Sequence, residues 1–220
     1  MRNFLSSKDR FRKYKAEIEK TGRYDIQFDF GGTALQRRNY IARALPFNKS
    51  ILDIGCGEGF YAIPFAGKIE GGYYAVDINE EVLESVRRKA GSKEIDNIAT
   101  YPSVDRFLEE YNGEQVDVIM TEVIEHMSPD EAKQLIRQIC RHVDFDHFII
   151  TTPNSDFNRF YELSGFRHED HKWEMGQEAF RQWFLEVLEE SGLHYEFVAL
   201  GDGVNNIRTT QGVILKKRGA

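Results

Sequence analysis

Glycines at alternate positions directly after a short apolar segment constrain the fold of this chain more than any other feature. In Leu52-Asp53-Ile54-Gly55-Cys56-Gly57-Glu58-Gly59, a predicted strand over residues 51–54 runs into the glycines, and a predicted helix begins at Phe60. Glycine permits a tight turn and lets a ligand approach the backbone, while the following helix offers free N–H groups. The pattern therefore predicts a nucleotide-binding strand, loop and helix.

Short apolar strands continue to alternate with helices along the chain. This alternation implies right-handed crossovers and a mainly parallel sheet with helices on both faces. The last two predicted strands follow each other directly, which suggests an antiparallel hairpin at the sheet edge. The predicted fold class is therefore α/β and Rossmann-like, with an antiparallel C-terminal strand. The further predicted elements are strands 72–76, 116–120, 148–151, 195–200 and 212–216, and helices 80–90, 129–143 (with Ser128 as N-cap) and 177–191.

The length of 220 residues predicts one domain, 1–220. Within it we expect a basic N-terminal helical segment, 1–45, with helices over 8–23 and 33–45. A catalytic core, 50–220, contains an insert over 154–175 that is rich in polar and aromatic residues.

Charge is distributed unevenly between the two ends of the chain. Residues 1–43 carry eleven Lys and Arg against five Asp and Glu, a local net charge of +6. Because the net charge of the whole chain is −7, the remaining residues carry a net charge of −13. The negative total argues against a broad nucleic-acid footprint and against DNA as a partner. The basic arm suits contact with a short piece of nucleic-acid backbone, or it is a solvated helix.

The expected compartment is the cytoplasm, without a membrane partner. The sequence has no run of about 18 apolar residues and no apolar signal segment at its start. Its two cysteines, Cys56 and Cys140, lack the spacing of a thiolate zinc site and are expected to be structural.

Two carboxylates and two imidazoles form the most informative chemical pattern. Glu122, Glu125 and His126 are spaced i, i+3, i+4, so one helical turn would place them on the same face. His171 lies in a segment dense in charge and aromatic groups, and His168 beside it is expected to bond backbone or to contact substrate. Four such ligands can hold one divalent ion, and this set is softer than an all-oxygen magnesium site. The alternative interpretation of Glu122, Glu125 and His126 is an acidic turn after a buried strand that binds no metal.

The glycine loop and a later carboxylate indicate the cofactor. The spacing Asp-x-Gly-x-Gly-x-Gly differs from the dinucleotide fingerprint and from the Walker phosphate loop. It resembles the first motif of the class I S-adenosylmethionine-dependent methyltransferases, in which the acidic residue meets the methionine ammonium. Asp77, eighteen residues after Gly59, would accept both ribose hydroxyls or cap a helix. Ser103 would border the adenine, or it has only a structural role.

A metal beside a methyl donor favours O-methylation. A divalent ion lowers the pKa of a hydroxyl and fixes its position, and two adjacent hydroxyls chelate better than one. The expected acceptor is therefore a vicinal diol or catechol, such as the 2′,3′-diol at an RNA 3′ end.

Nearly the whole chain resembles the small-RNA 3′-terminal-nucleotide 2′-O-methyltransferases. The motif 122–126 alone is also similar to small-molecule methyltransferases, whereas Asp170-His171-Lys172-Trp173-Glu174 is specific to the small-RNA enzymes. The other segments that carry the resemblance are 33–37, 53–57, 76–80 and 152–158.

The resemblance implies a set of site residues. The implied catalytic residues and metal ligands are Glu122, Glu125, His126 and His171. The implied cofactor-binding residues are Thr33, Gln36, Arg37, Asp53, Gly55, Gly57, Asp77, Ile78, Ser103 and Glu122. The implied substrate-binding residues are Pro153, Asn154, Arg167, His168 and Gln211.

The expected function is transfer of a methyl group from S-adenosylmethionine to the 2′-hydroxyl of the 3′-terminal nucleotide of a small RNA. The expected cofactors are S-adenosylmethionine and one divalent metal, Mg or Mn. The expected partners are the RNA 3′ end and an RNA-repair or RNA-processing protein. Two alternatives remain open at this point: an O-methyltransferase for a small diol or catechol, and a non-catalytic RNA-binding subunit.

Overall fold

A computed structural model describes residues 26–27, 32–161, 163, 165–189 and 191–217. The helix predicted over 8–23 and most of the basic arm lie outside the described residues, so the predicted division of the domain remains a prediction. In the described part, no helix is both long and apolar enough to cross a bilayer.

Strands and helices alternate through the described chain. The strands are β1 (Ile26–Gln27), β2 (Ser50–Ile54), β3 (Tyr73–Val76), β4 (Ile98–Tyr101), β5 (Val116–Thr121), β6 (Phe145–Pro153), β7 (His194–Val204) and β8 (Ile207–Lys216). The helices are α1 (Thr33–Ala44), α2 (Ala62–Ala66), α3 (Glu80–Ser92), α4 (Val104–Glu110), α5 (Pro129–His142) and α6 (Gln177–Val187). Two 3₁₀ helices, Ile124–His126 and Ser155–Tyr161, follow β5 and β6.

The eight described strands form one sheet in the order β1-β7-β8-β6-β5-β2-β3-β4. Neighbours from β6 to β4 are parallel, whereas β8 runs antiparallel to both β6 and β7. The predicted α/β Rossmann-like fold with an antiparallel C-terminal strand is confirmed. Because the carboxyl ends of the parallel strands share one edge, the loops after β2, β3, β5 and β6 meet there.

Both faces of the central sheet are buried. In β5, Val118 and Met120 belong to one apolar cluster and Ile119 to the other, as expected when side chains alternate across a strand. The first cluster includes residues of α4, α5 and α6, and the second includes residues of α1, α2 and α3. Three helices therefore cover each face, which explains the continuous apolar runs in the parallel strands.

Helix starts were better predicted than element lengths. Ser128 caps α5 with a full capping box, in which Glu131 bonds back to the Ser128 backbone. Asn79 caps α3, where the sequence placed the helix start. The strands β6, β7 and β8 are longer than predicted, and α6 ends earlier, at Val187. The helix α3 runs two residues further than predicted, and the helix predicted from Phe60 begins at Ala62. The strands extend because β8 pairs along most of its length with both neighbours.

Gly212 of β8 lies in close contact with β6, next to the sheet edge at which the loops after the parallel strands meet. A Cβ atom there would lie 2.3 Å from the Ile150 carbonyl oxygen of β6, which cannot move without breaking the ladder. We expect Gly212→Ala to lower the free energy of unfolding by roughly 1–3 kcal/mol, as other overpacked sites do. Urea denaturation monitored by circular dichroism measures this.

Gly91→Ala in α3 is the matched control. A Cβ at Gly91 meets no atom within 4 Å, so alanine should raise the free energy of unfolding by up to about 1 kcal/mol. Equal effects of the two substitutions would contradict the packing of β8 against β6.

Candidate active site

The acidic segment after β5 forms a sharp turn. Glu122 has a φ of 56°, in the left-handed region that non-glycine residues rarely adopt. Its backbone N–H donates to the Thr151 carbonyl at 2.8 Å, so it extends the β5–β6 pairing by one residue. The 3₁₀ helix begins only at Ile124. The single helical turn over residues 122–126, which would have placed all three side chains on one face, does not form, because Glu122 still pairs with β6.

Three of the four predicted metal ligands lie together. Potential ligand atoms of Glu125, His126 and His171 are within 4.8 Å of one another. The two imidazole rings meet edge to face, with centroids 4.8 Å apart. Burial, and then the charge of the neighbouring histidines, lowers the pKa of His126. A neutral imidazole is the form that binds a metal ion.

Glu122, the fourth predicted ligand, lies outside this group of three. One of its carboxylate oxygens accepts a hydrogen bond from the Thr151 hydroxyl at 3.0 Å. The other pairs with the Arg37 guanidinium at 3.2 Å. The sequence predicted that Glu122 would bind both the metal and the cofactor. In this structure its carboxylate is paired with Arg37 and is not part of the group of three.

Glu125 is a fully buried carboxylate. Its Oε2 accepts a hydrogen bond from the Thr152 hydroxyl at 3.0 Å, whereas its Oε1 has no hydrogen-bond partner among the described residues. Burial, followed by the negative charge of Glu122, raises the pKa of Glu125 well above its usual range. An ionised carboxylate in this place needs a cation or a donor on Oε1, so the site fits a metal ion.

Glu174 orients the His171 ring. The His171 Nδ1 atom lies 2.5 Å from Glu174 Oε1, and the Glu174 side chain is fully buried. A proton on Nδ1 leaves Nε2 free to bind a ligand. Sequence reasoning noted Glu174 only as part of a motif. Its position three residues after His171, in a carboxylate–histidine pair, was the signal that could have identified it.

Two hydrogen bonds fix the segment around His171 onto the acidic turn. The Lys172 backbone N–H donates to the Glu125 carbonyl at 2.8 Å. The Trp173 indole N–H donates to the Met127 carbonyl, also at 2.8 Å. The contact between two regions far apart in sequence therefore rests on specific bonds and explains how His171 reaches His126.

His168 is exposed, as is His126 of the cluster. Its Nδ1 accepts a hydrogen bond from the Asp170 backbone N–H at 3.3 Å, which is one of the two roles that the sequence allowed. Its ring centroid lies 5.7 Å from that of His171 and 6.3 Å from that of His126. His168 borders the cluster without joining it.

The remaining predicted substrate-binding residues hold the insert against β8. The Arg167 guanidinium donates to the Asn154 and Thr209 carbonyls. The Gln211 amide donates to the Pro153 and Met175 carbonyls at 3.2 and 2.7 Å. These bonds fix the insert to β6 and β8. Contact of these residues with a substrate remains a prediction.

The glycine loop packs directly on the acidic turn. A Cβ atom at Gly55 would lie 2.4 Å from a methyl group of Val123, so only glycine allows this contact. Gly57 donates its N–H to Asp77 Oδ2 at 3.0 Å, and Asp77 Oδ1 accepts from Asn79 N at 2.9 Å. Beside them Ile78 is 93% exposed, which leaves its side chain open to a bound ligand.

The other predicted cofactor residues occupy different places. Arg37 reaches Glu122 and the Tyr61 hydroxyl from α1. The Gln36 side chain donates a hydrogen bond to Asp202 of β7, and Thr33 lies against Gly201 on the same strand. Ser103 caps α4 by accepting from Arg106 N, which fulfils the structural alternative for this residue.

Asp53 is buried at the end of β2. Its Oδ2 accepts a hydrogen bond from the Tyr73 hydroxyl at 2.7 Å, and its Oδ1 has no hydrogen-bond partner among the described residues. Burial raises the pKa of Asp53 to about 7, against the opposing effect of the Tyr73 bond. Protonation of this carboxyl therefore falls close to neutral pH.

Known proteins similar to this chain are methyltransferases. Residues 51–145 match the family model described as a methyltransferase domain. A small RNA 2′-O-methyltransferase of Drosophila melanogaster is 38% identical over 92 residues, which are 39% of this chain and 23% of the relative. One from Mus musculus is 26% identical over 168 residues, which are 70% of this chain and 41% of the relative.

One solved structure is similar to this chain over almost its whole length. A chain of the Pnkp1/Rnl/Hen1 RNA repair complex superposes with a TM-score of 0.75 at 27% identity, covering 97% of this chain and 49% of that one. This chain spans less than half the length of the curated relatives and of this structural match.

The pKa of Asp53 leads to a prediction for cofactor binding. If Asp53 meets the methionine ammonium of S-adenosylmethionine, only its ionised form attracts that charge. Affinity should then weaken by up to about tenfold per pH unit as pH falls below about 7, and level off above it. Calorimetric titration from pH 6 to 8.5 measures this, with Asp53→Asn expected to remove the dependence. An affinity of the unmodified protein that is independent of pH would contradict the role of Asp53.

Proposed function

This chain belongs to the class I methyltransferases related to the small-RNA 2′-O-methyltransferases, and we propose that it methylates the 2′-hydroxyl of the 3′-terminal nucleotide of RNA with the help of one divalent metal. The observation that carries the proposal is the cluster of Glu125, His126 and His171, which lies next to the glycine loop through the Gly55–Val123 contact. A methyl donor on that loop would lie beside an acceptor held at the cluster.

The residues present fit a metal ion. The cluster offers two imidazoles and a carboxylate, and the buried Glu125 Oε1 lacks a donor. Mixed nitrogen and oxygen ligands suit Mn²⁺ at least as well as Mg²⁺. Glu125, His126 and His171 would hold the ion, and Glu122 would join them if its carboxylate left Arg37. A bound divalent ion supplies Lewis-acid activation of a hydroxyl and fixes its position.

The surrounding side chains orient the proposed ligands. Thr152 fixes one carboxylate oxygen of Glu125, and Glu174 fixes the His171 ring through Nδ1. Arg37 neutralises the charge of Glu122, which otherwise adds to that of Glu125. When the 2′-oxygen takes the methyl group from the sulfonium of S-adenosylmethionine, which leaves as S-adenosylhomocysteine, its proton would pass to solvent, because His126 and His171 would be engaged as ligands.

A terminal RNA nucleotide is the favoured acceptor for two reasons. Its 2′,3′-diol offers two oxygens to the ion, which an internal nucleotide lacks. The relatives are named as small-RNA methyltransferases, and the structural match comes from an RNA repair complex. We extend the proposal to a partner protein in RNA repair or processing, and the net charge of +6 over residues 1–43 would favour contact with RNA backbone.

The direct test compares a short RNA that has an intact 2′,3′-diol with the same RNA after periodate oxidation. With labelled S-adenosylmethionine and Mn²⁺, only the intact RNA should take up label, and Glu125→Ala should reduce uptake at least about a hundredfold, as loss of other metal or transition-state contacts does. The matched control is Glu109→Ala, an exposed carboxylate on α4. Equal labelling of both RNAs, or labelling of a small catechol in preference to RNA, would refute the proposal.

Glu174 provides a test of the metal site that does not depend on turnover. Glu174→Gln should weaken Mn²⁺ binding by about ten- to a hundredfold, because the amide is a poorer acceptor for the His171 N–H. Calorimetry with Mn²⁺ measures this, and affinity for S-adenosylmethionine should stay constant. Glu178→Gln, an exposed site at the start of α6, serves as control. Unchanged Mn²⁺ affinity in the Glu174 variant would exclude the orienting role.

A further inference from the structure

Phe166 presents an exposed aromatic ring in the insert next to the cluster. Its relative exposure is 47%, high for a phenylalanine. In the described parts of the chain it belongs to none of the apolar clusters, and no other aromatic ring contacts it. Its ring therefore has free apolar surface, and the fold gives no packing reason for an aromatic residue at this position.

The backbone that carries this ring is firmly held. The N–H of the next residue, Arg167, donates to Glu174 Oε1 at 2.7 Å. The Arg167 side chain adds bonds to Asn158 Oδ1 at 2.6 Å and to the carbonyls of Thr209 and Asn154 at 2.7 and 2.5 Å. An exposed ring on a fixed backbone loses little conformational entropy when a flat ligand binds it.

The same bonds bring Phe166 close to the cluster. Glu174 Oε1 accepts from both the Arg167 backbone N–H and His171 Nδ1. A single carboxylate oxygen thus separates the backbone next to Phe166 from a proposed metal ligand. A nucleotide whose ribose lies at the cluster has its base within reach of this part of the insert.

We propose that Phe166 is a stacking surface for the base of the 3′-terminal nucleotide, an inference that rests on the proposed function. Unpaired bases stack on exposed aromatic side chains, and such stacking tolerates any sequence because every base has a π-face. The Arg167 guanidinium and the side-chain NH2 groups of Asn154 and Gln211 donate hydrogen bonds within the protein. Recognition of the terminal base through stacking therefore predicts weak preference among the four bases and tighter binding of purines than of pyrimidines.

The test uses the full protein with Mn²⁺ and S-adenosylhomocysteine, and a short single-stranded RNA ending in 2-aminopurine. Stacking quenches the fluorescence of this base, a signal that a purely structural role of Phe166 would not produce. We expect quenching with the unmodified protein and its loss in Phe166→Ala, together with RNA binding about ten- to a hundredfold weaker. Phe166→Trp should retain both.

Tyr195→Ala is the matched control, since Tyr195 is also 47% exposed but lies on β7, outside the insert. It should leave quenching and affinity unchanged. A protein that methylates the RNA but does not quench the probe, or a Phe166→Ala variant with unchanged affinity, would overturn the stacking inference and leave the proposed function intact. A protein that neither binds nor methylates diol-ended RNA would overturn both.

Discussion

A buried carboxylate oxygen without a hydrogen-bond donor is the constraint around which the functional edge of this protein is organised. Glu125 is fully buried, and its Oε1 is unsatisfied within the described chain. Such a group is costly unless a cation or donor reaches it. The neighbouring structure holds Glu125 in place through Thr152 and the backbone of Lys172, and brings His126 and His171 to the same point. A cation or donor that reaches Oε1 would complete this arrangement.

The proposed cofactor and acceptor sides of the site are joined by packing between the glycine loop and the acidic turn. Val123 occupies the space that a side chain at position 55 would need, so only glycine allows the glycine loop to pack on the acidic turn. Separating the two segments would break this contact. Arg37 adds a second link, since it bonds both Tyr61 and Glu122. Burial lowers the pKa of Arg37, but the charge of Glu122, the contact with Tyr61 and the charge of Glu125 together raise it by more, so the net shift is upward. The charged pair is thus maintained between the two sides.

The sequence predicted what depends on local pattern. Strand–helix alternation, the glycine loop and the Ser128 cap follow from periodicity and capping chemistry, and the structure confirms them. The strained turn at Glu122 could not be predicted, because it arises from continued pairing with β6 at Thr151. The partnership of Glu174 with His171, and the internal bonds of Arg167 and Gln211, depend equally on contacts distant in sequence. Residue types at the site could therefore be identified, while their roles required the three-dimensional arrangement.

The most direct measurement of the central claim is anomalous X-ray scattering from crystals of the protein grown with Mn²⁺. The account predicts one strong manganese peak bonded to Glu125, His126 and the Nε2 atom of His171, with Nδ1 of His171 still bonded to Glu174. Absence of a peak at saturating Mn²⁺, or a peak elsewhere with these three side chains unchanged, would contradict it.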